Sequence, residues 1–304
     1  MEEEAQELET VLDSNLENVG FQEHSTVENL STRPPQASIL QDNIEFILDE
    51  DSDDNEIETE NTESTEEYPE HLDPIIKENT TRFQSAKWFE KVKTLSIAII
   101  GCGGIGSYTG FLVSRLHPAN IALFDFDRVD ATNLGGQLFN TLSVGQLKNE
   151  SLRQFIRSYS AYYNTQSYPR FTSDSDISSY DIIIGALDNM ETRKLLFKKW
   201  KTQSNPNTIL IDGRLNAEEF QIFTLSHGNP ELVADYEKEW LFTSEEAMSE
   251  ICSYKQTSFM ANMIGTMINN IIVNHAYNLY FMKPIRTIPY KMYYSGPSMD
   301  FKIE

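Results

Sequence analysis

The 304-residue chain carries 47 Asp and Glu against 24 Lys and Arg, a formal charge of −23. Residues 1–80 hold 25 of those acids with only Arg33 and Lys77 to offset them, so the whole net charge sits there and residues 81–304 balance to zero. A segment that acidic repels phosphates and argues against nucleic acid as a partner. Its Asp, Glu, Ser, Thr and Asn run over 49–70 can bury too little apolar surface to offset ordering entropy. This predicts a disordered acidic tail over 1–80 and one α/β domain over 81–304. The two cysteines, Cys102 and Cys252, exclude a four-cysteine zinc site and suit a reducing compartment. No charged-then-apolar leader follows Met1, so a cytoplasmic location is expected.

In chain order, helical spacing over 81–93 precedes the short β-branched run Leu95-Ser-Ile-Ala-Ile-Ile100, which reads as a strand buried on both faces. Gly101-Cys-Gly-Gly-Ile-Gly106 follows at once, then a helix over 107–116 and a second strand over 121–124 that ends at Asp125. Strand, glycine turn, helix and strand make a βαβ unit. Further helices are expected over 146–159 and 190–201, and further strands over 181–187, 208–211 and 220–225. Strands alternating with helices predict a doubly wound, Rossmann-like, mostly parallel sheet that binds ligands beyond the carboxyl ends of its strands. The nearly uncharged stretch 256–282 is interrupted by Asn262, Asn269, Asn270, Asn274 and His275, which are costly in hydrocarbon. It reads as a buried helix at the sheet face or a dimer interface and not as a membrane span.

Gly101-x-Gly103-x-x-Gly106 has dinucleotide-binding spacing in its proper setting. The first glycine permits the tight turn, the second lets backbone approach a phosphate, and the third lets helix pack on strand. Asp125, nineteen residues beyond Gly106, stands where a carboxylate can accept hydrogen bonds from ribose hydroxyls. These parts alone fit a NAD-dependent oxidoreductase equally well, although neither His227 nor His275 sits in a motif that supports one.

Downstream, Asp125-Phe-Asp-Arg-Val leads to Asn133-Leu-Gly-Gly-Gln137, Val144-Gly-Gln-Leu-Lys148 follows, and Asp188-Asn-Met-Glu-Thr-Arg193 comes third. In this order the segments resemble the signature of the ThiF/MoeB/HesA superfamily, the ubiquitin-activating-enzyme-like adenylyltransferases. The resemblance runs roughly over residues 82–280. It implies ATP and Mg²⁺ as cofactors and adenylation of the C-terminal carboxylate of a ubiquitin-like or sulfur-carrier protein, and a homodimer is expected.

Carried over residue by residue, Gly101, Gly103, Gly104 and Gly106 would cradle the nucleotide. Asp125 would hold the ribose with Asp127 beside it, and Asn133 and Gln137 would border the phosphates. Lys148 would neutralise the triphosphate, Asp188 would bind Mg²⁺, and Asn189 would line the site. Taken singly, each has a structural alternative: Asn133 could sit in an Asx turn, Lys148 could be a solvated helix residue, and Arg193 could pair with a neighbouring acid.

The sequence departs from the family pattern at two positions. Gly136 stands where the pattern Asn-Leu-x-Arg-Gln has arginine, and Arg82-Phe-Gln-Ser85 keeps only the first arginine of Arg-Tyr-x-Arg. Either another cation substitutes or adenylation is weak. Arg214 is one candidate substitute, its alternative being a strand-end ion pair with Asp212. Cys252, ahead of the long C-terminal helix with Lys255 nearby, is a candidate acyl acceptor or an ordinary half-buried cysteine. A nucleotide-binding scaffold without catalysis is therefore the second functional reading.

Overall fold

The computed structural model describes residues 78–203, 205–242 and 256–304. A turn over 80–85 leads through Ala86, whose backbone is extended, into α1 (Lys87–Val92), so this helix is shorter than the spacing over 81–93 predicts. There follow β1 (Ser96–Ile100), α2 (Gly104–Ser114), β2 (Asn120–Phe124), α3 (Lys148–Ser160), β3 (Thr165–Tyr168), β4 (Ile182–Gly185) and α4 (Met190–Lys201). The second half comprises β5 (Ile209–Asn216), β6 (Glu219–Ser226), α5 (Pro230–Asp235), α6 (Ser258–Phe281), β7 (Lys291–Ser295) and β8 (Asp300–Ile303).

The strands form one sheet of eight in the order β3-β2-β1-β4-β5-β6-β7-β8. The first five run parallel, and β6, β7 and β8 join as antiparallel neighbours. The chain steps outward from β1 to β2 and β3, then returns to place β4 on the other side of β1. That reversal opens a crevice between the carboxyl ends of β1 and β4.

Alternation along β1 explains why its sequence is apolar from Ile97 to Ile100. Ile97 and Ile99 enter one core with Ile105 and Val113 of α2, Leu152 and Ile156 of α3 and Ile264, Ile268 and Ile272 of α6. Ala98 and Ile100 enter the other, with Leu196, Phe197 and Trp200 of α4 and Tyr236. A parallel strand covered on both faces leaves little room for a polar side chain without a buried partner.

Two of the amides of α6, Asn269 and Asn278, tie the helix to its neighbours. Buried Asn269 donates from Nδ2 to the carbonyls of Gly265 (2.8 Å) and Thr109 (3.3 Å), tying α6 to α2. Gly265 allows that crossing, since a Cβ there would lie 3.1 Å from Tyr108 Cβ and 3.2 Å from Thr109 N. Asn278 exchanges two hydrogen bonds with the backbone of Arg286, closing the turn after the helix. No helix among the described residues is long and apolar enough to cross a membrane.

His275 of α6 is 8% exposed, and its Nε2 has no hydrogen-bond partner among the described residues. Burial, with the positive charge of Lys91 added, pushes its imidazole from the ordinary 6.5 down to about 4. Below about pH 6.5 the unfolded chain takes up a proton that the folded chain refuses until about pH 4, so stability falls as pH falls across that window. The loss amounts to about 3 kcal/mol at most. His275→Gln should flatten this dependence, read as a smaller difference between urea-denaturation free energies at about pH 7 and about pH 4.5. An unchanged difference would show that the slope has another source.

Candidate functional site

The turn after β1 is built on close contacts. Gly101 has φ +94°, and a Cβ on it would run into the carbonyl of Ala186, the residue that follows β4. A Cβ on Gly106 would run into the carbonyl of Gly101. Around Gly103, by contrast, among the described residues beyond its chain neighbours only Gln137 Nε2 comes within 4 Å of where its Cβ would be, at 3.8 Å. Gly103 is also the N-cap of α2, and no side chain caps it. The first amides of a helix lack intrahelical acceptors and carry partial positive charge, so this end of α2 is suited to an anion.

Asp125, at the end of β2, is held toward that turn. Cys102 N–H donates to its Oδ2 (2.6 Å) and Asp127 N–H to its Oδ1 (2.8 Å). Burial raises its carboxyl above the ordinary range, against the downward pull of those two donors and of Lys148. Lys148, the first residue of α3 and 8% exposed, donates from Nζ to Asp127 Oδ2 (3.0 Å). Its backbone N–H donates to Asp127 O (2.8 Å). Lys148 is therefore fixed beside the β2 end and is not a solvated helix residue. Among the described residues its ammonium has Asp127 Oδ2 as its one acceptor, which leaves two of its three donors for a ligand.

Asn133 takes part in a local turn, its Oδ1 accepting from Asp130 N–H (3.0 Å), which leaves its Nδ2 for other partners. Gln137 is 7% exposed, and its Oε1 has no partner among the described residues. A buried carboxamide with an unused acceptor beside an open helix end fits a site that a ligand completes.

Beyond β4, Asp188 is exposed and accepts from Asn189 Nδ2 (3.2 Å), while Asn189 Oδ1 caps α4 by accepting from Thr192 N–H (2.8 Å). Among the described residues no three His, Cys, Asp or Glu side chains gather as a metal cage. One carboxylate at the crevice fits a Mg²⁺ that shares its oxygens with phosphate and water.

The motif arginine acts from beneath. Arg193 Nη2 donates to Leu187 O (2.5 Å) and its Nε to Asp212 Oδ1 (2.7 Å), which fixes the backbone carrying Asp188. Asp212 is 1% exposed, and its Oδ2 also accepts from Arg214 Nε (2.8 Å) and Tyr236 OH (2.8 Å). Arg214 further donates to Trp240 O (3.0 Å) and Tyr236 OH (3.2 Å). The structure thus gives Arg214 its ion-pair setting, and Gly136 has Gln256 as its neighbour. Cys102 is fully buried, with burial pushing its thiol well up. Cys252 lies outside the described residues.

Sequence reasoning considered Asp212 only as a partner for Arg214 and missed that it also binds Arg193 and Tyr236. The available signal was a single acid after the apolar run Ile209-Leu-Ile211. Removing it leaves one buried guanidinium group, that of Arg193, and one partly buried, that of Arg214, without their carboxylate. Asp212→Ala should therefore cost about 3–5 kcal/mol in urea denaturation. Glu237→Gln, which breaks the exposed Lys201–Glu237 pair, should cost less than about 1 kcal/mol. Equal costs would contradict a structural role for the buried cluster.

The wider comparisons agree with this architecture. An "Adenylyltransferase and sulfurtransferase MOCS3" of Aedes aegypti is 34% identical over 139 residues, 43% of this chain and 32% of that protein. A "Ubiquitin-like modifier-activating enzyme 5" of Gallus gallus is 27% identical over 153 residues, 45% of this chain and 38% of that protein. The matched regions thus span about a third of these relatives' lengths. A crystal structure of E. coli MccB with ATP shares the fold at a TM-score of 0.56 and 14% identity, covering 75% of this chain and 70% of that one. The ThiF family model matches residues 77–303. With a match over most of its length and the family's motifs gathered at one crevice, the chain belongs to the ThiF family.

Proposed function

We propose that the chain binds ATP at the glycine turn and uses it to adenylate the C-terminal carboxylate of a ubiquitin-like or sulfur-carrier protein. The observation that carries this reading is the open N-terminus of α2 over Gly103, with Asp125, Gln137 and Lys148 arranged around it. The names of the Aedes aegypti and Gallus gallus relatives support the reaction class.

Asp125 accepts hydrogen bonds from the ribose. The helix amides, Asn133 Nδ2 and Gln137 meet the phosphate oxygens, with Gly104 and Asn189 lining the pocket. An oxygen of the carrier's carboxylate attacks the α-phosphorus, and the bond from that phosphorus to the bridging oxygen of pyrophosphate breaks. The products are an acyl-adenylate and pyrophosphate. Lys148 offsets the charge that gathers on the phosphate oxygens, a role in which one well-placed cation is worth a large part of the rate. Mg²⁺, held by Asp188 and phosphate oxygens, would supply the remaining positive charge.

Gly136 favours a second reading. With Arg214 engaged by Asp212, Tyr236 and Trp240, the phosphates meet one cation fewer than the family pattern provides. A chain that binds nucleotide but turns it over weakly, acting as a scaffold, would have this composition.

ATP–pyrophosphate exchange with a panel of glycine-ended ubiquitin-like and sulfur-carrier proteins separates the two. The first reading expects exchange stimulated by one carrier, abolished in Asp188→Ala and lowered by about a hundredfold in Lys148→Ala. ATP binding without exchange across the panel would favour the scaffold. Full exchange in Asp188→Ala would overturn the metal assignment.

A further inference from the structure

Gly136 is close-packed although no side chain grows from it. A Cβ there would lie 2.8 Å from Gln256 Cγ and 3.3 Å from both Cδ and Nε2. The same carboxamide presses on the glycine turn: a Cβ on Gly104 would collide with Oε1 and stand 2.9 Å from Cδ. Two residues thirty-two positions apart are thus both glycine where one side chain from a third segment lies between them. An arginine at position 136 would need the volume that the stem of Gln256 occupies.

Gln256 is delivered to this place by the backbone. It forms a parallel bridge with Ala217, in the two-residue turn between β5 and β6, and leads directly into α6. Its side chain walls the α2 N-terminus beside Gly104, while buried Gln137 faces the same turn beside Gly103. A Cβ on Gly103 would meet no described atom outside its chain neighbours nearer than Gln137 Nε2 at 3.8 Å, so this side of the turn has room for a ligand. A carboxamide has two N–H donors and no charge. It can turn those donors to a phosphate oxygen and needs no counter-ion when the site is empty.

We propose that Gln256 binds the phosphates of the nucleotide from the place that the family's arginine would take at Gly136. The proposal rests on the nucleotide reading above. It makes Gly136 one half of a matched exchange: the arginine is lost, and a neutral donor from the start of α6 enters its volume.

The test is calorimetric titration of the full chain with ATP and, separately, with adenosine, for the parent, Gln256→Glu and Gln256→Ala. Glutamate keeps the size of glutamine but presents an acceptor and a charge that phosphates repel. The expected result is ATP binding weakened by about tenfold or more in Gln256→Glu and by about threefold or more in Gln256→Ala. Adenosine binding should change by less than about twofold in both.

ATP affinity equal in the parent and Gln256→Glu would overturn the proposal. So would parallel weakening of ATP and adenosine, which would make Gln256 a packing residue only. A parent chain that binds neither compound would overturn the nucleotide reading itself.

The steric half is read separately by thermal unfolding. Gly136→Arg should lower the midpoint, and Gly136→Arg/Gln256→Gly should regain at least about half of that loss. No recovery would show that Gln256 does not fill the arginine's place.

Discussion

The carbonyl of Ala186 lies so close to Gly101 that the end of β1 and the residue after β4 leave no room for a side chain between them. Much of the molecule follows from that contact. β1 and β4 are the strands between which the order reverses, so the crevice of the sheet opens at this point. Gly106 packs on Gly101 in the same way, bringing the first turn of α2 down onto the strand end. The helix therefore starts at the crevice with its free amides toward it. A larger residue at Gly101 would push against the backbone after β4, and one at Gly106 would lift the first turn of α2 off the strand end.

Around this rigid turn the polar groups fall into two tiers. The upper tier, Asp125, Asp127 and Lys148, is fixed largely by backbone N–H donors and can still offer lone pairs or ammonium hydrogens to a ligand. The lower tier is the cluster around Asp212, in which one buried carboxylate accepts from Arg193, Arg214 and Tyr236. Its contribution to the site is positional. Arg193 reaches through it to the carbonyl of Leu187 and so sets the backbone on which Asp188 stands. A buried ion pair adds little net stability when complete but is costly to break. This cluster is consequently a constraint on geometry more than a source of stability.

The sequence shows the first tier far better than the second. β1 and β4 are legible because a strand covered on both faces must be apolar at nearly every position, and the glycine turn because its spacing is set by local backbone geometry. β3 (Thr165–Tyr168) and β8 (Asp300–Ile303) escape the same reasoning because they are edge strands with polar or exposed residues, so neither alternation nor a continuous apolar run marks them. β5 extends past Ile211 to Asn216 because β6 pairs with it all the way to Glu219, a tertiary fact without a local signal. Likewise, Asp212 shows only an acid next to an apolar run. Its partners Arg193 and Tyr236 lie nineteen and twenty-four positions away and reach it only once the sheet is formed. The asparagines of 256–282 were enough to argue against a membrane span, but their partners on α2 and on the turn after the helix were not legible.

Charge at the crevice is then governed by pairing. Lys148 is shared with Asp127, while Arg193 and Arg214 are both engaged by Asp212. Lys148, Arg193 and Arg214 thus each have an acid partner, and residues 81–304 carry no net charge. An anion arriving here would be met by oriented amide dipoles and neutral carboxamides as well as by the free hydrogens of Lys148. Dipoles fixed by the fold need no reorganisation when charge develops, which suits a site that binds a polyanion. They supply less long-range attraction than a free guanidinium, since Coulomb energy falls with the charge presented. On the proposed reading, a site of this kind would draw most of its positive charge from Lys148 and from a cation that arrives with the phosphates.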